Sequence, residues 1–207
     1  MILLHFADFV GARQFGEVSA SLLAVTYSAF IVLGINGSYV KHFSLSTENE
    51  KMRTLSTFCL SYNVIAALLA FLIAYFAIDQ HYALFVAGIC CFNIGRGCIQ
   101  TILRATLHTE YLAIYNLGFA LLFLACYSTL CLTSTQIDGS ILFSSWCLAL
   151  FISILFGLMI LKKLALIESP FSQSFVQFVR EKFIQLFKDG LKLAALTFSS
   201  IVFISSD

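Results

Sequence analysis

Arg96 stands inside the apolar run Tyr82–Leu103, between Gly95 and Gly97. A guanidinium at membrane depth costs about 2.5 to 3.5 kcal/mol on insertion scales, so water, an anion or a polar side chain must compensate it. Arg104 follows two turns and a fraction later and returns to within about 80° of the same side of a helix. Planar guanidinium donors bind the oxygens of phosphate and pyrophosphate bidentately, so the pair reads as a cationic track leading from a helix end into the interior. Each arginine also has a plainer reading. Arg96 lies about 10 Å from the end of its run, within reach of snorkelling, and Arg104 taken alone is better read as an interfacial positive charge. For Arg96 the favoured role faces a watery, anion-accepting cavity. Asn63 and Asn93 are amides in apolar runs. Hydrogen bonding between helices is their plainer role, and contact with a sugar hydroxyl the alternative.

What is missing narrows the chemistry. None of the five complete apolar runs named below contains Asp or Glu. Cation-coupled exporters commonly titrate an intramembrane carboxylate, so the substrate is expected to be an anion. Asp8 and Asp207 are the remaining acidic candidates, close to the two ends. His5, His42, His81 and His108 lack metal-ligand spacing, and no nucleophile, base and oxyanion group stand together. The 7 cysteines all fall in apolar runs without a CxxC pair and read as small packing residues. No enzymatic activity, metal or cofactor is expected. The basic residues are dispersed at a formal net charge of +1, so nucleic acid is not expected as a partner.

The elements that must carry these residues are helices in lipid. With 60% hydrophobic and 11% charged residues and a mean hydropathy of +0.93, the chain has too little polar surface to coat a water-soluble globule. Five runs are long enough to cross a hydrocarbon core of about 30 Å: Val18–Val40, Leu55–Ile78, Tyr82–Leu103, Tyr111–Thr133 and Ile141–Leu161. Basic gaps (Lys41, Lys51 and Arg53; Arg104; Lys162 to Lys188) alternate with the basic-free gaps Asp79–His81 and Ser134–Ser140. The positive-inside rule then puts the basic gaps in the cytoplasm. Glu48 to Arg53 reads as a solvated loop there.

Met1–Val10 resembles half a span, and a sixth run from Gly190 is still apolar at Asp207, so the chain is expected to be a fragment. Between the fifth and sixth runs, Ser172–Asp189 alternates Phe, Val, Ile and Leu with Arg180, Lys182 and Lys188. That pattern predicts an amphipathic helix, capped by Ser172, on the cytoplasmic membrane surface. Pro170 is the only proline, so any break inside a span must come from glycine, although close packing is the commoner role of membrane glycines.

Three stretches taken together resemble a known family. Gly11 to Ser44 carries Phe15-Gly16 before the second helix and Gly34, Gly37 and Lys41 at its close; Ile102 to Asn116 is a short basic turn; Phe187 to Asp207 opens on glycine and runs to Asp. In order and spacing these resemble polysaccharide-unit flippases of the multidrug/oligosaccharidyl-lipid/polysaccharide exporter superfamily. The resemblance implies an all-α polytopic transmembrane bundle, the first six-helix lobe of a two-lobed transporter. Residues 1–161 would form the N-terminal lobe, 162–189 the cytoplasmic loop with its interfacial helix, and 190–207 the start of helix seven. It further implies alternating-access transfer of an undecaprenyl-pyrophosphate-linked oligosaccharide across a bacterial inner membrane for surface polysaccharide or O-antigen synthesis. The implied partners are the lipid-linked oligosaccharide, membrane lipids and a polysaccharide polymerase. The pyrophosphate would meet Arg96 and Arg104, with Asn63 and Asn93 near the sugar. A cation-coupled multidrug antiporter and a structural membrane subunit are the alternative functions.

Overall fold

The computed structural model describes residues 12–32, 34–45, 49–77, 82–134, 139–170 and 172–205. Met1–Val10 with His5 and Asp8, the gap Asp79–His81, most of the gap after Ser134, and Asp207 lie outside the described residues. The described chain is helical and carries no strand: α1 (Ala12–Ser28), a 3-10 turn (Ala29–Val32), α2 (Ile35–Ser44), α3 (Asn49–Ala77), α4 (Ala83–Ala105), α5 (Thr109–Thr133), α6 (Gly139–Lys163) and α7 (Gln173–Ser205).

Among the described residues four helices are long and apolar enough to cross a membrane: α3 from Glu50, α4, α5 and α6. Their outer faces fit a lipid solvent. Phe76 is 81% and Leu132 87% exposed, beside exposed Leu68, Leu72, Leu121 and Met159, a surface that water would penalise and lipid tails do not. Small residues face inward instead. A Cβ on Gly157 would lie 2.8 Å from Ile99, and one on Gly95 3.1 Å from Ile154, so glycine lets the backbones of α4 and α6 approach.

Two expectations are corrected. Val18–Val40 is not one helix: α1 passes through the 3-10 turn and stops at Gly34, whose φ of 71° is left-handed, before α2 restarts. Glycine alone enters that region without a Cβ penalty. The site is also a contact, because a Cβ on Gly34 would sit 2.9 Å from the Ala194 amide and closer still to the Gly190 carbonyl. Gly190 and Ala194, spaced four apart on α7, present the small-residue face that receives it. The charged stretch before the second span, moreover, is not loop from Asn49 onward but the first turns of α3. Glu50 there suits the positive helix N-terminus.

Gln173 to Ser205 forms a helix of 33 residues, so the amphipathic stretch and the later apolar run are continuous. Ser172 caps it: the Phe175 N–H donates to Ser172 Oγ at 3.2 Å. α7 is fastened to the bundle by Phe178 and Phe183, whose ring centroids lie 6.0 and 6.1 Å from that of Phe58, and by Asp189, which accepts from Lys41 Nζ at 3.0 Å and contacts His42 Nε2 at 3.0 Å. Those two partners hold the Asp189 carboxyl below its ordinary pKa.

The ends of the bundle differ. Arg53, Ala105 to His108 and Leu164 to Leu166 line one common cavity of about 460 Å³, which brings the three basic gaps to the same end. Both α4 and α6 stop there in a left-handed turn, at Leu107 (φ 59°) and Ala165 (φ 50°). The His108 and Leu166 N–H groups reach back to Leu103 and Leu161 at 3.0 Å each, closing otherwise orphaned carbonyls. At the other end Gly139 packs on Val18 and Tyr82.

Candidate functional site

α4 is amphipathic within the membrane. Ile89, Ile94, Cys98 and Ile102 turn inward, while Asn93, Arg96, Gln100 and Arg104 recur at intervals that keep them on one stripe. α5 packs mainly on α6 and touches α4 only lightly along this stripe. Just 11% of the α5 span is buried, against 44–50% for the other three, so most of α5 faces outward and only a narrow strip of it meets the polar stripe.

Arg96 is half-buried in the seam between α4 and α5. Its Nη2 donates to Asn116 Oδ1 at 3.1 Å, and its Cζ stands 4.0 Å from the centre of the Phe119 ring and 5.9 Å from that of Tyr115. Gln100 Nε2 donates to the same Asn116 oxygen at 2.5 Å. Asn116 is seven residues into α5, about 10 Å below the helix end. The guanidinium is therefore held between α4 and α5 about two turns in from the helix end. Its insertion cost of about 2.5 to 3.5 kcal/mol is met by a desolvated cation–π contact of about 2 kcal/mol and an interhelical hydrogen bond of about 1 kcal/mol. Arg96 Nε remains buried without a partner.

The other residues expected at a site are dispersed. Arg104, on the same stripe, is exposed at the basic end. Asn93 is half-buried on α4. Asn63 is buried in the core, where its Nδ2 donates to Asn36 Oδ1 at 2.9 Å and to the Cys59 carbonyl at 2.8 Å. Its edge also borders an apolar groove of about 230 Å³ formed with Phe92, Gly95 and Ile154. Cys59 and Cys98 meet there with their sulfurs 3.7 Å apart, and the Tyr39 hydroxyl lies 3.0 Å from Ser56 Oγ. Asn63 thus serves a neutral polar core shared by α2, α3 and α4, and Arg96 a charged seam between α4 and α5.

Sequence reasoning passed over Asn36, Gln100 and Asn116. Asn36 had a signal in its place beside Gly34 and Gly37, and Gln100 in its four-residue spacing from Arg96. Asn116 had only its presence in an apolar run, since nothing in a linear sequence pairs it with a residue on the previous helix. No group of three or more metal-ligating side chains forms among the described residues. No protein-family model, curated protein or solved structure matches the chain. The functional reading therefore rests on the site.

Proposed function

We propose that this bundle is the first lobe of a two-lobed flippase that carries a lipid-linked, pyrophosphate-bearing oligosaccharide across the bacterial inner membrane. The observation that carries the reading is Arg96. It is a half-buried guanidinium within an apolar helix, held by Asn116 and Phe119, with its buried Nε–H still unpartnered. A pyrophosphate headgroup crossing a low-dielectric layer needs such a preplaced cation, because a bare anion there is far costlier than a paired one. Arg104, further along the stripe at the basic end, is the entry contact, and Arg96 the deeper one. Gln100 and Arg96 share one acceptor on Asn116, so an incoming phosphate oxygen takes over the arginine while Gln100 keeps the asparagine satisfied. No bond is made or broken; the site neutralises charge while the lobes alternate.

The test replaces Arg96 with Ala and with Lys in the complete gene and measures surface glycan together with leaflet transfer in proteoliposomes. The Ala variant is expected to lose export and the Lys variant to keep part of it. Unchanged export in the Ala variant overturns the reading. A second reading, a structural subunit in which Arg96 merely ties α5 to α4, is favoured by the close Phe119 contact. It predicts loss of stability without any transport to lose.

A further inference from the structure

The cavity of about 460 Å³ at the basic end has features that closing the helices there does not require. Phe43 near the end of α2, Met52 and Arg53 in the first turns of α3, the α4–α5 turn and the end of α6 wall it. Most of that wall is apolar, the usual make-up of a small-molecule site, and its polar side chains are Arg53, Thr106 and His108. Thr106 is spent on the Ile102 carbonyl at 2.9 Å. Arg53 has no hydrogen-bond or ion-pair partner among the described residues, and the His108 ring lies edge-on to Tyr111 with centroids 6.0 Å apart. No carboxylate of the described residues lines the cavity. Of the acidic residues that flank its wall in sequence, Glu50, Glu110 and Glu168, none pairs with Arg53, and Glu168 accepts from Ser172 at 3.3 Å.

The backbone supplies a second observation. Leu107 and Ala165 are the non-glycine residues of positive φ among the described residues, and both line this cavity. Helix closure explains the left-handed turn but not the side chain in it, since glycine makes the same turn without the Cβ penalty. Strain of this kind gathers where a ligand is held. We propose that the cavity binds a small organic oxyanion, its carboxylate or phosphate on Arg53 and the His108 ring N–H, and its apolar body against Phe43, Met52, Leu107 and Leu166. A guanidinium grips either oxyanion bidentately. A bare ion needs no apolar wall, and a neutral apolar molecule needs no unpaired guanidinium. Helix ends and turns, rather than spanning faces, form the wall, so the ligand enters from the water side. Neither Arg96 nor Arg104 lines the cavity, and the proposal is independent of the flippase reading.

The probe is naphthyl phosphate, titrated onto the intact protein in phosphatidylcholine nanodiscs and followed by saturation-transfer NMR, with empty nanodiscs subtracted. Wild type is expected to bind it saturably, and inorganic phosphate about 10-fold less tightly for want of the apolar body. Arg53→Ala removes an exposed side chain and should bind about 10- to 100-fold less tightly, as expected when an ion loses its charged partner, with Arg53→Lys recovering part. Leu107→Gly keeps the turn at lower backbone cost and removes apolar wall, so it should bind about fivefold less tightly while its thermal midpoint holds or rises. Lys163→Ala, exposed at the same end but outside the cavity, should bind as wild type does. Absence of saturable binding at millimolar probe, or undiminished binding in Arg53→Ala, overturns the proposal. Inorganic phosphate binding as tightly as the probe would reduce the cavity to a plain ion site, and displacement of the probe by phosphatidylglycerol in the nanodisc would make it a lipid site. Either result overturns the proposal as well.

Discussion

The two polar clusters of the bundle are built alike and differ in what they leave over. In each, one asparagine oxygen accepts two donors from a neighbouring helix. Asn36 takes Asn63 at 2.9 Å and the Cys59 thiol at 3.5 Å, and Asn116 takes Arg96 and Gln100. The first cluster is neutral and sits in the tightly packed core of α2, α3 and α4, where Asn63 is 1% exposed. The second is charged and sits in the loose α4–α5 seam. A neutral amide left half-satisfied costs little in a membrane, because even the unfolded helices find it partners. A guanidinium keeps its net charge whatever its N–H groups bond to; water solvates it, and only an anion neutralises it. The same hydrogen-bond geometry thus holds a neutral pair in one place and a charged one in the other.

Breaking the geometry beneath the neutral cluster should have the largest effect. Gly34→Ala forces a Cβ into the α7 backbone at a left-handed position and displaces Asn36, two residues on. The variant is expected to lose about 3 kcal/mol or more and to disappear from the membrane fraction. Normal yield and an unchanged thermal midpoint would mean that the α2–α7 contact is not essential. The charged cluster should respond in the opposite manner. In Arg96→Ala the lost contacts and the relieved insertion cost nearly cancel, so the thermal midpoint should move little while export falls about 10- to 100-fold, the worth of one charge-assisted hydrogen bond. A parallel fall of stability and export would reduce Arg96 to a helix tie.

Asn63→Leu sharpens the contrast from the other side. It is expected to cost about 0.6 to 1.7 kcal/mol in detergent unfolding, with export per folded molecule intact, and a specific export defect would move Asn63 into the substrate path. The smallest effect is electrostatic. Lys41 and His42 depress the Asp189 pKa, so the carboxylate's stabilising contribution is complete above its unfolded value of about 3.9 and is lost as pH falls through the lower folded value. Asp189→Asn should therefore be less stable than wild type at pH 7, and the difference should shrink as the pH falls below the ordinary carboxylate range. A difference that persists at low pH would show that the pairing is not what Asp189 contributes.

The helices at stake were legible in unequal measure. Tyr82–Leu103, Tyr111–Thr133 and Ile141–Leu161 each predicted a helix whose ends the structure shifts by at most a few residues, because an apolar run of that length has no other way to satisfy its backbone in lipid. Val18–Val40 failed as a single span. Hydropathy registers that Gly34 is apolar and small, and it is blind to the φ that an approaching α7 backbone requires there. Ser172 was legible as a cap because the cap and the N–H it serves are three residues apart. Asn116 was not legible, because its partners Arg96 and Gln100 are 20 and 16 positions away.

By itself, then, the sequence determined the solvent, the helical class, the spanning runs of α3 to α6 and the sorting of basic charge into alternate gaps. All of these follow from composition and short-range order, which lipid reads directly. Only the tertiary structure decided that the basic gaps share one end, that Gly34 both breaks a helix and receives another, and that Arg96 is gripped by Asn116 and Phe119 while Asn63 is absorbed into the core. Those outcomes depend on which faces meet, and facing is set by packing between segments far apart in the chain.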